Sequence, residues 1–167
     1  MKTDLTVGMM LHEEAETLEG VLAALKPIAD YFILGVDRAS TDATAKIARA
    51  HADDYFEFDF HNHSSEVRNE VLRRANTPWF FQVDGHEFLS AESFTCIEEI
   101  KRLNRDQAAM IDLGLYIWDD WEPILLYYVP RLFRTDYDIV YTRAIHNTLT
   151  CQSGHDHFLA LPKLTDP

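Results

Sequence analysis

From the N-terminus onward, the order of apolar and polar residues alternates between the two-residue period of a strand and the longer period of a helix. Short apolar runs predict strands, which lie at 5–11, 31–37, 55–60 and 78–84. Apolar residues three and four positions apart predict helices, which lie at 13–25, 40–52, 64–76 and 90–103. Strands that alternate with helices indicate a largely parallel sheet with helices on both faces.

After residue 105 the pattern changes, because apolar runs at 108–118 and 124–134 predict two strands with no helix between them. Strands joined without a crossover helix pair antiparallel. The segment 138–150 is predicted to be extended or mixed. We therefore expect an α/β fold with a Rossmann-like βαβα sheet, mostly parallel, and a small antiparallel C-terminal part. The 167 residues suffice for a single domain with its own core, which we place at 1–167.

Acidic residues follow three of the predicted strands, where the chain leaves the sheet. The first strand is followed by His12-Glu13-Glu14, the second ends at Asp37, and the fourth ends in Asp84-Gly85-His86-Glu87. The carboxyl ends of parallel strands share one edge, and sheets of this kind bind ligands there. Neither a glycine-rich dinucleotide fingerprint nor a P-loop occurs at these positions. The acids either converge on a ligand or belong to separate solvated loops.

The formal net charge of −13 restricts the classes of partner. Nucleic acid is disfavoured, because its binding depends largely on Lys and Arg contacts to phosphate. A small nucleotide would be repelled too unless a cation lay between it and the protein. The two cysteines, Cys96 and Cys151, have no metal-site spacing and fit a reducing cytoplasm. We see no signal peptide and no apolar stretch long enough to span a bilayer.

The sequence Asp84-Gly85-His86 is a candidate metal site. Gly85 permits a tight turn, so the carboxylate of Asp84 and the imidazole of His86 can face one point. One oxygen and one nitrogen ligand favour Mn²⁺ over Mg²⁺, which prefers oxygen alone. A polar loop without metal is the alternative, and the pattern by itself does not distinguish the two.

Four sequence blocks, in order, resemble the family 2 glycosyltransferases with the GT-A fold. The first strand and its "LHEE" are similar to a strand ending in K-N-E-E, and "VDRASTDAT" (36–44) is similar to V-D-x-x-S-T-D-x-T. The stretch "SSEVRNEVLRRANTPWFFQVDGHEF" (64–88) resembles the block that ends in D-A-D-E. The stretch "VPRLFRTDYDIVYTRAIHNTL" (129–149) resembles an R-L-F-R block followed by V-H-E. The resemblance covers about residues 5–150, which is nearly the whole chain.

The resemblance implies a nucleotide-sugar donor, with 1–105 as its binding part and 106–167 on the acceptor side. Uridine nucleotides are the usual donors, but Glu13 stands where the family has Asn, which leaves the base open. By the resemblance, the side chain of Asp37 contacts the base or ribose. The other donor-binding candidates are Leu11, Glu13, Arg68, Asp84 and Gly85. Arg68 would bind a phosphate or carboxylate in the cleft, or alternatively form a salt bridge on the helix surface.

The implied metal ligands are Asp84, His86 and His146, although His146 could instead be a hydrogen-bonded core histidine. The ion would hold the diphosphate while an acceptor hydroxyl attacks the anomeric carbon from the opposite face, with inversion. A general base must take the hydroxyl proton. The candidates are Asp119, Asp120 and Glu122 in "WDDWEP" (118–123), and Glu87 beside the metal residues. An exposed acidic turn is the alternative for "WDDWEP".

Three other functions stay open on the sequence. A nucleotidyltransferase or sugar-nucleotide pyrophosphorylase of related architecture typically has a glycine-rich, basic loop after the first strand, and "MMLHEEAE" has neither glycine nor a basic side chain of that kind. A metal-dependent phosphohydrolase and a non-catalytic nucleotide-sugar-binding module are the others. For the acceptor, a glycan, a lipid-linked sugar, a protein and a modified nucleic acid all stay open, although the acidic balance disfavours the last.

Overall fold

The computed structural model describes residues 4–102, 110–119, 122–152 and 158–159. The helices are α1 (Leu18–Leu25), α2 (Thr44–His51), α3 (Ser64–Arg74) and α4 (Ala91–Ile100). The strands are β1 (Leu5–Leu11), β2 (Tyr31–Asp37), β3 (Asp54–Phe58), β4 (Trp79–Gln82), β5 (Met110–Asp119), β6 (Glu122–Arg134), β7 (Ile139–Thr142), β8 (Thr148–Cys151) and β9 (Phe158–Leu159). None of the described helices has the length and apolar character needed to span a bilayer.

The main sheet has seven strands in the order β3-β2-β1-β4-β6-β5-β9. The first four run parallel to one another, and β6 pairs antiparallel with both β4 and β5. Strands β7 and β8 form a separate antiparallel pair. The predicted α/β class, with a mostly parallel sheet and an antiparallel C-terminal part, is confirmed.

The core lies between the parallel strands and the helices, as the apolar spacing predicts. Helix α1 buries Leu18, Val21, Leu22 and Leu25 against β1 and β2. Burying an aliphatic side chain of this size stabilises the fold by roughly 1.5–3 kcal/mol. On the other side of the sheet, Gly8 leaves room for a close approach: a Cβ there would lie 2.3 Å from the ring of Phe80.

Two helices begin later than the sequence predicts. Helix α1 starts at Leu18. Glu13 lies outside it because its φ of 54° is in the left-handed region that an α-helix excludes, and a turn follows in which the amide of Thr17 donates to the carbonyl of Glu14, at 3.2 Å. Helix α2 starts at Thr44 because Asp42 accepts a hydrogen bond of 2.9 Å from the amide of Thr44 and shapes a turn before it. The residues between each strand and its helix are therefore loops.

Strand β3 is the edge of the parallel half of the sheet, and it carries charged side chains. Asp54 forms an ion pair with Arg74 of α3, at 3.0 Å. Glu57 forms ion pairs with Arg49 of α2 and with Arg38. These contacts attach the edge strand to the helices beside it.

Strands β5 and β6 form a hairpin that extends beyond the parallel strands. Residue Phe81 of β4 pairs with Leu132, so the part of β6 from Arg131 back to Glu122 continues past the carboxyl end of β4. That path is about 30 Å along the strand. The hairpin ends where Asp119 pairs with Glu122.

Candidate functional site

The carboxyl ends of β2, β1 and β4 lie side by side at one edge of the sheet, in that order. The sequence predicts this edge, because the acidic residues follow these three strands. The chain leaves the strands at Leu11, Asp37 and Gln82. We call the cluster formed by residues 84–87 beyond β4 the tip.

Asp37 is buried, with 6% of its surface exposed. Its Oδ1 accepts a hydrogen bond of 3.1 Å from the amide of Ala39, and its Oδ2 lies 3.3 Å from Nδ1 of His12. The side chain thus shapes the turn after β2 and also contacts the end of β1. The sequence gives no reason to select His12, whose ring is exposed beside this carboxylate.

Glu13 connects the ends of β1 and β2. Its Oε1 accepts hydrogen bonds from the amide of Thr41, at 2.6 Å, and from the Thr41 hydroxyl, at 3.0 Å. Its own amide donates to the hydroxyl of Ser40, at 3.3 Å. The preceding Leu11 has a fully buried side chain, so only the backbone of this predicted donor-binding residue can border a ligand.

Two arginines hold the carboxylate of Asp84. Nη2 of Arg68, from α3, lies 3.3 Å from Oδ1, and Nη2 of Arg131, from β6, lies 3.1 Å from Oδ2. Burial acts to raise the pKa of Asp84, but the guanidinium groups of Arg131 and Arg68 outweigh it, so the pKa is lowered. Asp84 is therefore ionised near neutral pH. The side chain of Arg68 is 19% exposed and its ion pair is with Asp84 of the tip, so a role in binding phosphate or carboxylate stays a prediction.

Both carboxylate oxygens of Glu87 accept hydrogen bonds. Oε1 accepts a hydrogen bond of 2.5 Å from Arg131, and Oε2 accepts one of 2.9 Å from the amide of Asp84. Burial and the neighbouring negative charge of Asp84 raise the pKa of Glu87, although Arg131 opposes them. A raised pKa suits a general base, while the two hydrogen bonds give Glu87 a structural task; its role as base stays a prediction.

Arg131 is a second residue of the site, after His12, that the sequence analysis does not select. Only 7% of its surface is exposed, and it pairs with both carboxylates of the tip. A signal exists, because an arginine within the apolar run "YYVPRLF" needs a buried partner of opposite charge. The partner cannot be identified from the run itself, since Asp84 is 47 positions away in the chain.

His86 contacts the carboxylate of Glu14, which lies in the loop between β1 and α1. Its Nδ1 lies 3.0 Å from Oε1 of Glu14, and this hydrogen bond raises the pKa of His86. Gly85 makes the approach possible: a Cβ there would lie 2.8 Å from Cδ2 of Leu11 and 3.0 Å from Cγ of Glu14. The hydroxyl of Thr17 donates to the carbonyl of Gly85, at 2.9 Å, so loop and tip are joined.

His146 lies in the turn between β7 and β8, where it is exposed and has a φ of 52°. The turn is tied to the start of α3, since the Ser64 hydroxyl donates to the carbonyl of Ala144 and to Oδ1 of Asn147. Within the described ranges, no three His, Cys, Asp or Glu side chains are placed to hold a metal ion together. His146 as a third ligand stays a prediction.

Asp84 and His86 nevertheless offer a donor set that fits a divalent ion. Asp84 is ionised, and the contact of His86 Nδ1 with Glu14 leaves Nε2 as the ring nitrogen that can bind a metal. Two protein ligands suffice where a ligand such as a diphosphate supplies others.

The remaining predicted acids lie on the β5–β6 hairpin. Asp119 is the last residue of β5 and Glu122 the first of β6, so both are at the projecting end of the hairpin. Asp120 lies outside the described residues. Their catalytic roles stay predictions.

Comparison with known proteins gives a family and a fold. The family model described as "Glycosyl transferase family 2" matches residues 6–155. No curated protein matches the sequence.

Solved structures agree on the fold. A mannosyltransferase from Pyrobaculum calidifontis, in complex with GDP-Man and Mn²⁺, is similar with a TM-score of 0.53 and 20% identity over 66% of this chain and 35% of that chain. S. aureus TarS 1–349 is similar with a TM-score of 0.53 and 13% identity over 79% and 47%. The 4-diphosphocytidyl-2C-methyl-D-erythritol synthase from Anaerococcus prevotii gives 0.54 and 12% over 80% and 70%. The chain spans less than half the length of the first two of these chains.

Proposed function

Because the chain belongs to glycosyl transferase family 2, whose model matches residues 6–155, we propose that it transfers a sugar from a nucleotide-sugar donor to an acceptor hydroxyl. A UDP-sugar is the donor class that we infer first. The proposal assigns donor binding to the parallel sheet and places the antiparallel part beside it on the acceptor side.

The proposal rests on one observation: two chemically different sites, the Asp37 end and the tip, lie at the same edge of the sheet and are connected by one loop. The Asp37 end offers a buried carboxylate suited to hydrogen bonds from ribose hydroxyls or a base N–H. The tip offers an ionised carboxylate and an imidazole beside two arginines. Residues 12–17 contact both, through His12 on one side and Thr17 on the other. A nucleoside diphosphate has the matching division into an uncharged and a highly charged half.

We infer that Asp84 and His86 would hold a divalent ion, Mn²⁺ in preference to Mg²⁺, with His146 as a candidate third ligand. When bound, such an ion neutralises the charge of the diphosphate and stabilises it as a leaving group. Arg131 and Arg68 keep Asp84 ionised and fixed in place. At an effective dielectric constant near 20, unit charges 4 Å apart interact by about 4 kcal/mol, so the charge of a cation decides whether the acidic protein accepts a diphosphate.

The reaction forms a bond between the acceptor oxygen and the anomeric carbon and breaks the bond from that carbon to the diphosphate oxygen. Attack from the face opposite the diphosphate inverts the anomeric centre. The acceptor proton passes to a carboxylate, for which Asp119, Asp120, Glu122 and Glu87 are the candidates. We propose a glycan, a lipid-linked sugar or a protein as the acceptor, with nucleic acid disfavoured by the net charge of −13.

A binding experiment tests the donor and the metal together. Thermal shifts are measured for a panel of nucleotide sugars with Mn²⁺, with Mg²⁺ or with EDTA. A ligand at a hundred times its Kd stabilises the native state by about 2.7 kcal/mol. We expect a shift with UDP or a UDP-sugar that disappears with EDTA and in Asp84→Asn, and that weakens in Asp37→Asn. Glu19→Gln, an exposed acid of α1, is the matched control and keeps the shift. A shift that survives both EDTA and Asp84→Asn contradicts the metal bridge.

A nucleotidyltransferase remains the second candidate, favoured by the similarity to the Anaerococcus prevotii synthase, of which the chain covers 70%. The products distinguish the two reactions. A glycosyltransferase releases a nucleoside diphosphate when an acceptor is added, whereas a nucleotidyltransferase releases pyrophosphate from a nucleoside triphosphate and a sugar phosphate. Release of phosphate without any acceptor indicates a phosphohydrolase, and binding without turnover indicates a binding module.

A further inference from the structure

Hydrogen bonds hold the backbone of Glu14, and packing holds the first two carbons of its side chain. Its amide donates a hydrogen bond of 2.7 Å to the buried hydroxyl of Thr44. Its carbonyl accepts hydrogen bonds from the amides of Thr17, at 3.2 Å, and of Leu18, at 2.9 Å, where α1 begins. Its Cβ and Cγ pack against Gly85. A side chain held in this way has few orientations available, and the one it adopts directs Oε1 to His86.

Stability does not account for this contact. The side chain of His86 is 62% exposed, and an exposed ion pair contributes about 0–1 kcal/mol. Glu14 and His86 are 72 positions apart in the chain, and their approach requires a residue without a Cβ at position 85. Because this specific contact contributes so little stability, it indicates that Glu14 orients the ring of His86.

We propose that Glu14 is a positioning residue: by accepting a hydrogen bond from Nδ1–H of His86, it fixes the ring and leaves Nε2 as the nitrogen that binds a divalent ion. This inference rests on the proposed metal-dependent function. The tautomer of a histidine is set by the hydrogen bond that its other nitrogen makes. Carboxylates that hold a metal-binding histidine in this way typically change metal affinity 10- to 100-fold when they are replaced.

The first test is the tautomer of His86 in the metal-free protein, measured by long-range ¹H–¹⁵N NMR at about pH 9, where histidine is neutral. We expect the Nδ1–H form in the wild type and in Glu14→Gln, because the glutamine oxygen still accepts the hydrogen bond. We expect Glu14→Leu to shift His86 to the Nε2–H form that a free side chain prefers in water. An Nε2–H form in the wild type overturns the proposal.

The second test is Mn²⁺ affinity in the presence of UDP, measured by electron paramagnetic resonance. Glu14→Leu should weaken binding about 10- to 100-fold, and Glu14→Gln should retain most of it. Glu16→Leu, an exposed acid of the same loop, is the matched control and should bind as the wild type does. In a His86→Ala background, Glu14→Leu should add no further loss, because Glu14 acts through His86. A purely structural role would weaken binding in both backgrounds.

Failure of this proposal and failure of the proposed function give different results. If the wild type binds Mn²⁺ with UDP and Glu14→Leu binds it as tightly, Glu14 is not a positioning residue and the function stands. If the wild type binds neither UDP nor Mn²⁺, the proposed function and the metal part of this inference both fail. Circular dichroism of each variant shows whether it is folded, and the wild-type tautomer tests the contact without any variant.

Discussion

Replacing Arg131 by methionine tests whether the tip is held together by a buried ion network. Arg131 is 7% exposed and lies 3.1 Å from Asp84 and 2.5 Å from Glu87. Breaking a buried ion pair by removing one partner costs about 3–5 kcal/mol, because a charge is left without compensation. Two features reduce the cost here. Arg68 still pairs with Asp84, and Glu87, whose pKa is already raised, can take up a proton. We therefore expect a loss of about 3 kcal/mol in the free energy of unfolding, at the low end of that range.

The assay is urea denaturation at about pH 7, followed by circular dichroism, with the free energy taken from the midpoint and slope. The matched control is Arg73→Met on α3. Arg73 is 68% exposed and pairs with Glu70, so its replacement should cost no more than about 0.5 kcal/mol. Adding Glu87→Gln to Arg131→Met should recover part of the loss, because it removes a charge that has no partner.

The pH dependence gives a further check with a definite sign. A carboxyl group whose folded-state pKa is raised stabilises the fold below its unfolded-state pKa, about 4.5 for Glu, and that contribution is lost as the pH rises through the folded-state value. Removing Arg131 raises the pKa of Glu87 further. The loss caused by Arg131→Met should therefore be smaller near pH 5 than near pH 8. A loss of no more than about 0.5 kcal/mol, the limit expected for Arg73→Met, would refute the buried network.

Two further predictions concern a glycine and a surface carboxylate. Gly85→Ala places a Cβ 2.8 Å from Leu11 and should destabilise the fold by about 1–3 kcal/mol. Gly20→Ala within α1 places a Cβ no closer than 3.6 Å to the ring of Phe88 and should stabilise the fold by about 0.5–1 kcal/mol. Thermal unfolding of both variants tests this, and changes of the same sign would contradict the packing argument. The hydrogen bond from Arg74 lowers the pKa of Glu70. The ionised Glu70 therefore contributes to the free energy of unfolding above its unfolded-state pKa of about 4.5, and this contribution is lost as the pH falls through the lowered folded-state value. Glu70→Gln should therefore cost up to about 1 kcal/mol near pH 7 and less near pH 3 in urea denaturation. An equal cost at both pH values would contradict this reasoning.

The parallel half of the fold follows from the sequence because its information is local. The predicted strands at 5–11 and 31–37 agree with β1 and β2 residue for residue, since a short buried strand is a short apolar run. The start of α1 was predicted too early. The run after Glu13 keeps a helical spacing, but Glu13 itself takes a left-handed φ and bonds to Thr41, which is a contact across the sheet edge.

The site could be predicted from the sequence only in part, because only some of its information is local. The positions of Asp37 and Asp84 could be predicted because each comes at the end of a strand. The partners of Asp84 and His86 could not, because Arg131 and Glu14 reach the tip from 47 and 72 positions away. Periodicity identifies the element on which a residue lies, whereas the contact between two distant side chains depends on the packing of whole elements.

The charges on β3 bear on how this protein behaves at high concentration. An edge strand presents unpaired backbone groups to which a strand of another molecule can add, and this is a common beginning of aggregation. On β3, Asp54 and Glu57 are engaged by arginines from α2, α3 and the β2–α2 loop. An incoming strand would have to disrupt those ion pairs and approach two carboxylates at close range. These ion pairs thereby protect the parallel edge of the sheet against the addition of a strand from another molecule.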